Sequence, residues 1–237
     1  MSLETGARDL LARVARQHYP ATLASSLSAE DMVLTDLIGR GRLPIGVFVL
    51  DTGRLHGDTL GLIGRVERHY GIAVRVIRPR AQAVSEYVVR FGRDAFYESA
   101  ELRKQCCGIR KVEPLKRALE GKAAWLTGMR REQSAGRAGI RVEEWDQQHR
   151  LKKFNPLADW SENDVWAYIR RYEVPYNPLY DQGYRSIGCA PCTRPVVAGE
   201  DARAGRWWWE AQAKGENPRE CGIHFSPDGK VVRERTL

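Results

Sequence analysis

The run Ile45-Gly46-Val47-Phe48-Val49-Leu50 contains no polar side chain and stops abruptly at Asp51-Thr52-Gly53. A strand with one wet face alternates apolar and polar residues. A strand without that alternation is buried on both faces, as inside a parallel sheet covered by helices on each side. The rest of the chain therefore has to supply neighbouring strands and two layers of helices. Ala21 to Ser26, Ala73 to Ile77 and Ala123 to Thr127 are further short strand candidates. Helical patterns lie between them: residues 3–18, the segment carrying Met32, Val33, Leu34, Leu37 and Ile38, residues 57–70, residues 81–91, and a stretch opening at Cys106 and running to about Leu119. A later helix is expected after Ser161, capped with Asp164. Strands and helices alternate, so the fold class expected is α/β, a doubly wound, mostly parallel sheet. Such sheets bind ligands in the crevice outside the carboxyl ends of their strands. The segments just past each strand are thus the ones to read for chemistry.

After the first strand comes Ser25-Ser26-Leu27-Ser28-Ala29-Glu30-Asp31. Ser28 with Asp31 three residues on is an N-cap signature. Unpaired N–H groups and the helix dipole make such a turn attractive to phosphate-like anions. Hydroxyls at Ser25, Ser26 and Ser28 add donors, although an ordinary capped helix would carry the same pattern. Asp51 and Gly53 stand at the end of the second strand. The fourth strand runs into Gly128-Met129-Arg130-Arg131-Glu132-Gln133-Ser134-Ala135-Gly136-Arg137, a basic, glycine-bearing loop. A guanidinium fork binds two oxyanion oxygens at once, so Arg130, Arg131 and Arg137 suit an anion there. A net charge of +8 also points to an anionic partner, without separating nucleic acid, nucleotide and acidic protein.

Four of the five cysteines form two pairs, Cys106-Cys107 and the Cys189-Ala190-Pro191-Cys192 turn. A Cys-x-x-Cys turn points both sulfurs at one metal, and zinc is its ordinary occupant. The vicinal pair favours a larger group: neighbouring side chains on a helix diverge by about 100°, which strains two bonds to one ion but suits a 4Fe-4S cubane. Spacing leaves iron-sulfur, zinc and plain buried thiols open. A disulfide framework is disfavoured, because the charged first residues contain no apolar export signal and no membrane span. A reducing cytoplasm is expected. The fifth cysteine, Cys221, lies alone in Glu220-Cys221-Gly222-Ile223-His224. It comes after Arg203-Ala204-Gly205-Arg206-Trp207-Trp208-Trp209 and a polar, glycine-bearing tether. The organisation expected is one domain over residues 1–200 and a mobile tail over 201–237 that closes a site.

Taken in order, these motifs resemble the assimilatory sulfonucleotide reductases, and specifically the cluster-containing adenylyl sulfate reductases, from about residue 20 to His224. The resemblance rests on Ala29-Glu30-Asp31-Met32, Leu50 to His56, Cys106 to Leu115, Thr127 to Ser134, Gly188 to Cys192, Arg206 to Trp209 and Glu220 to His224. It implies a fold like that of adenine nucleotide α-hydrolases. It further implies a 4Fe-4S cluster on Cys106, Cys107, Cys189 and Cys192, and a nucleophile at Cys221; Lys111 is a candidate to lower that thiol's pKa, and His224 to orient the thiol or a phosphate, with an ordinary hydrogen-bonded histidine as the alternative. Ser25, Ser26, Ser28, Asp51, Gly53 and Gly128 match nucleotide contacts, while Lys111, Arg137, Arg203 and Arg206 match positions facing a phosphosulfate. Implied with them are adenosine 5′-phosphosulfate (APS) as a small-molecule substrate, a thioredoxin-like electron donor, no nucleic-acid or membrane partner, and a homo-oligomer as one possible assembly. Two departures stand out: Ser28 occupies a place where the family's loop usually has glycine, and the loop before Arg137 is a residue short. The rival expectations are a reductase of the 3′-phosphorylated substrate (PAPS) or of both, an ATP-dependent tRNA-thiolating enzyme of the same fold, and a zinc-stabilised binding module. The tRNA-thiolating enzymes resemble one another in a Ser-Gly-Gly-x-Asp-Ser loop that this chain lacks.

Overall fold

The structure, a computed structural model, describes residues 2–212. Cys221, His224 and the rest of the segment from 213 on lie outside the described residues. Six strands form one sheet: β1 (Ala21–Ser25), β2 (Ile45–Leu50), β3 (Val74–Ile77), β4 (Ala124–Leu126), β5 (Glu143–Asp146) and β6 (Leu151–Phe154). Their spatial order is β3-β2-β1-β4-β6-β5, parallel throughout except for the antiparallel pairing of β5 with β6. The doubly wound α/β class read from the sequence is the class found.

Helices cover both faces, as the unalternating β2 requires. Val47 and Val49 enter a core built with α1 (Leu3–Gln17), α2 (Ala29–Arg40), α3 (Gly57–Tyr70) and α7 (Glu162–Tyr172). Phe48, between them, points the other way and packs with Leu115, Ala118 and Leu119 of α6 (Glu113–Leu119) and with Trp125. Fully burying one such side chain contributes roughly 1.5–3 kcal/mol. Those two layers fix the strands, and the strands fix the loops at their carboxyl ends.

Three local expectations are corrected. The hairpin β5–β6 has no counterpart among the expected strands, because Glu143-Glu144-Trp145-Asp146 and Leu151-Lys152-Lys153-Phe154 carry too few apolar residues to read as strands. Tertiary pairing supplies what the pattern lacks: Lys153 Nζ lies 2.9 Å from Glu144 Oε1 and over the Trp125 ring. The helix expected to open at Cys106 begins earlier, as α5 (Ala100–Cys107), and passes through a π-helical turn (Gly108–Val112) into α6. Ser28 is the N-cap residue of α2 but its side chain caps no backbone group. At α7 the expected capping box is present, Ser161 Oγ accepting from Asp164 N at 3.1 Å.

Candidate active site

The chain leaves β1 for β2 and β3 on one side and returns to β4 and β6 on the other. Loops after β1 and β4 therefore part company, and between them opens a cleft of about 370 Å³. This is the strand-order reversal at which doubly wound sheets hold ligands.

In the loop after β1, several donors turn to the chain's own Asp31. Asp31 Oδ2 accepts from Ser26 N at 2.7 Å, from Ser26 Oγ at 2.6 Å and from Ser28 Oγ at 3.4 Å, while Oδ1 accepts from Gly128 N at 3.1 Å. Burial lifts the Asp31 carboxyl to about 6 against the pull of those bonds, with adjacent Glu30 adding to the rise. Ala29 N, at the start of α2, donates to Tyr180 Oη at 2.9 Å. Gly128 is constrained by this arrangement, since a Cβ there would sit 2.8 Å from Glu30 Cβ and closer still to Asp31.

Facing that loop is a wall of cations. Lys111, Arg130, Arg137, Arg185, Arg203 and Arg206 all line the cleft. Arg130 Nε donates to Glu30 Oε1 at 2.9 Å. Arg206 Nη1 donates to Ile187 O at 3.1 Å, its guanidinium lying over the Trp207 ring at 4.7 Å. Ser25, Ser26, Ser28 and Gly128 also line the cleft; Asp51, Gly53 and Arg131 are not part of its lining. Asp51 accepts from Arg78 Nε and from Gly53 N, leaving Thr52 as the residue of that turn that reaches the cleft. Arg131 turns away to Ile140 O and Asp159. Sequence reasoning overlooked Arg185, a single arginine in an aromatic-rich loop, and Tyr180, whose neighbours read as core cover. The placement of Tyr180 against Trp166, ring centroids 5.0 Å apart, had no signal in the pattern.

Beside the cleft, Cys106, Cys107, Cys189 and Cys192 line one small cavity. None of the four is joined in a disulfide. Among the described residues no three His, Cys, Asp or Glu side chains are set around a single metal ion. The 3-10 turn Ala190–Cys192 is tied down by Ala190 N donating to Arg54 O at 2.7 Å, and Trp207 N donates to Cys192 O at 3.2 Å. Cys189 Sγ lies 3.2 Å from Thr52 Oγ1. Burial pushes the Cys189 thiol up, but Lys111, Thr52, Arg206 and Arg110 together outweigh it and bring it below the ordinary thiol value. Burial dominates at Cys106, which is raised, and at Cys192, which is pushed up to about 12.

Two buried N–H groups without a hydrogen-bond acceptor, Arg103 Nη1 and Trp207 Nε1, belong to residues of the same lining. Unmet buried donors are costly in a folded protein. Four thiols with unmet donors around them fit an anionic, sulfur-ligated group better than an empty hydrophobic pocket. Lys111 and Trp207 belong to both linings, so one lysine and one indole separate the thiol cavity from the cation-walled cleft.

Fold and site together define an α/β domain built to hold a small anionic molecule next to a sulfur-rich centre. The phosphoadenosine phosphosulfate reductase domain matches residues 20–195, and the chain belongs to that family. It is 56% identical over 229 residues to an adenosine 5′-phosphosulfate reductase of Allochromatium vinosum, covering 94% of this chain and 87% of the relative. It is 54% identical to one of Burkholderia cepacia over 92% of this chain and 85% of the relative. A crystal structure of phosphoadenylyl-sulfate reductase from Candida auris, a phosphate complex, superposes with a TM-score of 0.69 at 26% identity, covering 81% of this chain and 90% of that one. The FMN adenylyltransferase of Candida glabrata shares the fold, with a TM-score of 0.57 at 12% identity over 92% of this chain and 75% of that one. No helix among the described residues is long and apolar enough to cross a membrane.

Proposed function

We propose that the chain is an adenylyl-sulfate reductase that converts APS to sulfite and AMP at the expense of a thioredoxin-like dithiol, as a step of sulfate assimilation in the cytoplasm. The observation that carries this reading is the shared wall: six cations line a nucleotide-sized cleft at the carboxyl ends of the strands, and one of them, Lys111, also lines the four-thiol cavity. The names of relatives at 54–56% identity supply the substrate.

In the proposed reaction Cys221, as a thiolate, attacks the sulfur of APS. A sulfur–sulfur bond forms, the bond from sulfur to the phosphate oxygen breaks, and AMP leaves with that electron pair. A thiolate of the donor then attacks Cys221 Sγ and releases sulfite; the donor's second thiol resolves the mixed disulfide, so the dithiol supplies both electrons. Arg137, Arg203 and Arg206 hold the phosphosulfate and offset the repulsion between thiolate and sulfonate. Neighbouring cations also lower a thiol's pKa, which keeps the nucleophile ionised. His224 is assigned to orient the thiol or a phosphate.

Cys106, Cys107, Cys189 and Cys192 would hold a 4Fe-4S cluster, which when bound supplies a fixed charge and a cross-link between α5 and the 189–192 turn rather than electrons. Lys111 carries its charge between that centre and the sulfonate, and Arg103 and Trp207 offer N–H groups to it.

The test is sulfite release by anaerobically purified protein with reduced thioredoxin, comparing APS with PAPS at equal concentration. A strong preference for APS is expected, with Cys221→Ser inactive yet still binding AMP. Equal rates would make it a dual-specificity reductase. No sulfite from either substrate, with iron verified by analysis, would overturn the reading.

A further inference from the structure

Arg137 stands on a short 3-10 turn, Ala135–Arg137, in a loop that makes no strand or long helix. An arginine there has many rotamers available, yet it is buried and directed at the cleft. One of the groups that hold it is an amide. Gln133 Oε1 accepts from Arg137 Nη1 and, at 3.1 Å, from the backbone N of Arg130. Its Nε2 donates to Glu30 Oε1 at 3.0 Å.

That last bond decides which way the amide faces. A glutamine end has one acceptor atom and one donor atom, and it bonds correctly in only one of its two flips when its neighbours are unlike. Here a carboxylate sits on one side and two N–H donors on the other. Flipped, the amide would aim its NH₂ at Arg130 N and Arg137 and its oxygen at Glu30, losing three bonds at once. Glu30 is itself immobilised by Arg130 Nε at 2.9 Å, in an ion pair whose side chains are 6% and 11% exposed. It also belongs to the first turn of α2, so the relay is anchored to the helix that faces the cleft.

We infer that Gln133, oriented by Glu30, is a positioning residue that aims Arg137 at the anionic group of the substrate. The inference rests on the proposal that Arg137 faces the phosphosulfate. Gln133 acts through Arg137 and takes no part in bond making. Its removal leaves the cleft's charge unchanged, frees the Arg137 guanidinium and also gives up the bonds to Arg130 N and Glu30, and a loss through those two bonds would persist without Arg137.

A double-mutant cycle tests this, because residues that act through one another are non-additive. kcat/KM for APS is measured for the parent, Gln133→Leu, Arg137→Ala and the double variant, each checked by thermal melting, with Gln133→Met replacing the leucine variant if that one fails to fold. The expected result is a loss of about tenfold for Gln133→Leu in the parent and no further loss in the Arg137→Ala background. Equal losses in both backgrounds, or none in the parent, would overturn the relay while leaving Arg137 in its role. Full activity of Arg137→Ala alone would instead overturn the substrate-facing reading of Arg137, and the relay with it.

Discussion

Gly188 precedes the first cysteine of the 189–192 turn, and its missing side chain makes room for Arg206. A Cβ at that position would sit 2.5 Å from Arg206 Nη2 and 2.6 Å from Cζ, well inside contact distance. The obstacle is the far end of a flexible side chain, so in Gly188→Ala the guanidinium swings away and the backbone stays. It then gives up its bond to Ile187 O and its place over Trp207. Stability falls by about 1 kcal/mol, the net worth of one such hydrogen bond. Activity falls further: a hydrogen bond from a charged donor to an anion contributes about 1.5–3 kcal/mol, or roughly ten- to a hundredfold in kcat/KM for APS. Steady-state kinetics, run beside thermal melting and iron analysis, measure both quantities on one preparation. Activity within twofold of the parent, in a protein with its iron intact, would show that Arg206 does not hold the substrate or does not yield to the new methyl group.

Other consequences are as direct. Tyr180→Phe keeps the ring against Trp166 but removes the oxygen that receives Ala29 N, and should lower the melting temperature by about 2–4 °C; an unchanged melt would mean that water replaces the hydroxyl at no cost. Asp31 has its folded-state pKa raised from 3.8 to about 6, so the stability it contributes is complete below pH 3.8 and is lost as pH rises through about 6. Carboxyl ¹³C shifts should show it titrating near pH 6, and a midpoint below 4 would contradict the burial argument. With the proposed cluster on the four thiols, anaerobic removal of iron should lower the melting temperature by about 5 °C or more, because metal binding energy is folding energy, and should make four thiols reactive in the Cys221→Ser protein. Unchanged melting would deny the cross-link between α5 and the 189–192 turn.

The parallel core was legible because burial on both faces leaves a residue-level mark, and Ile45–Leu50 carries it without interruption. Helices α3 and α4 (Ala81–Phe91) begin and end where their apolar spacing does. The β5–β6 hairpin was not legible, because β6 is stabilised by pairing with β4, distant in sequence, and β5 by β6 and by ion pairs that pattern does not record. In the site, the residue types were readable and their directions were not. Three consecutive residues show why: Asp51 and Gly53 bond to each other and Thr52 faces the cleft. Likewise Arg130 lines the cleft while Arg131 pairs with Asp159 outside its lining. The turn expected to receive an anion at Ser28 lines the cleft, and the bonds of Ser26 N and of the Ser26 and Ser28 hydroxyls to the chain's own Asp31 had no signal in the pattern.

The π-helical turn couples two requirements that a continuous helix could not satisfy together. Glu113 N reaches back five residues to Gly108 O, one more than an α-helix allows, so the rod from Ala100 to Leu119 changes phase by about 100° in its middle. On one side of that step the phase presents Cys106 and Cys107 to their cavity; on the other it presents Leu115, Ala118 and Leu119 to the sheet. Deleting a single residue between Gly108 and Val112 would restore an unbroken helix and force one half to rotate out of register with its partner. This segment should accordingly accept substitutions more readily than changes of length.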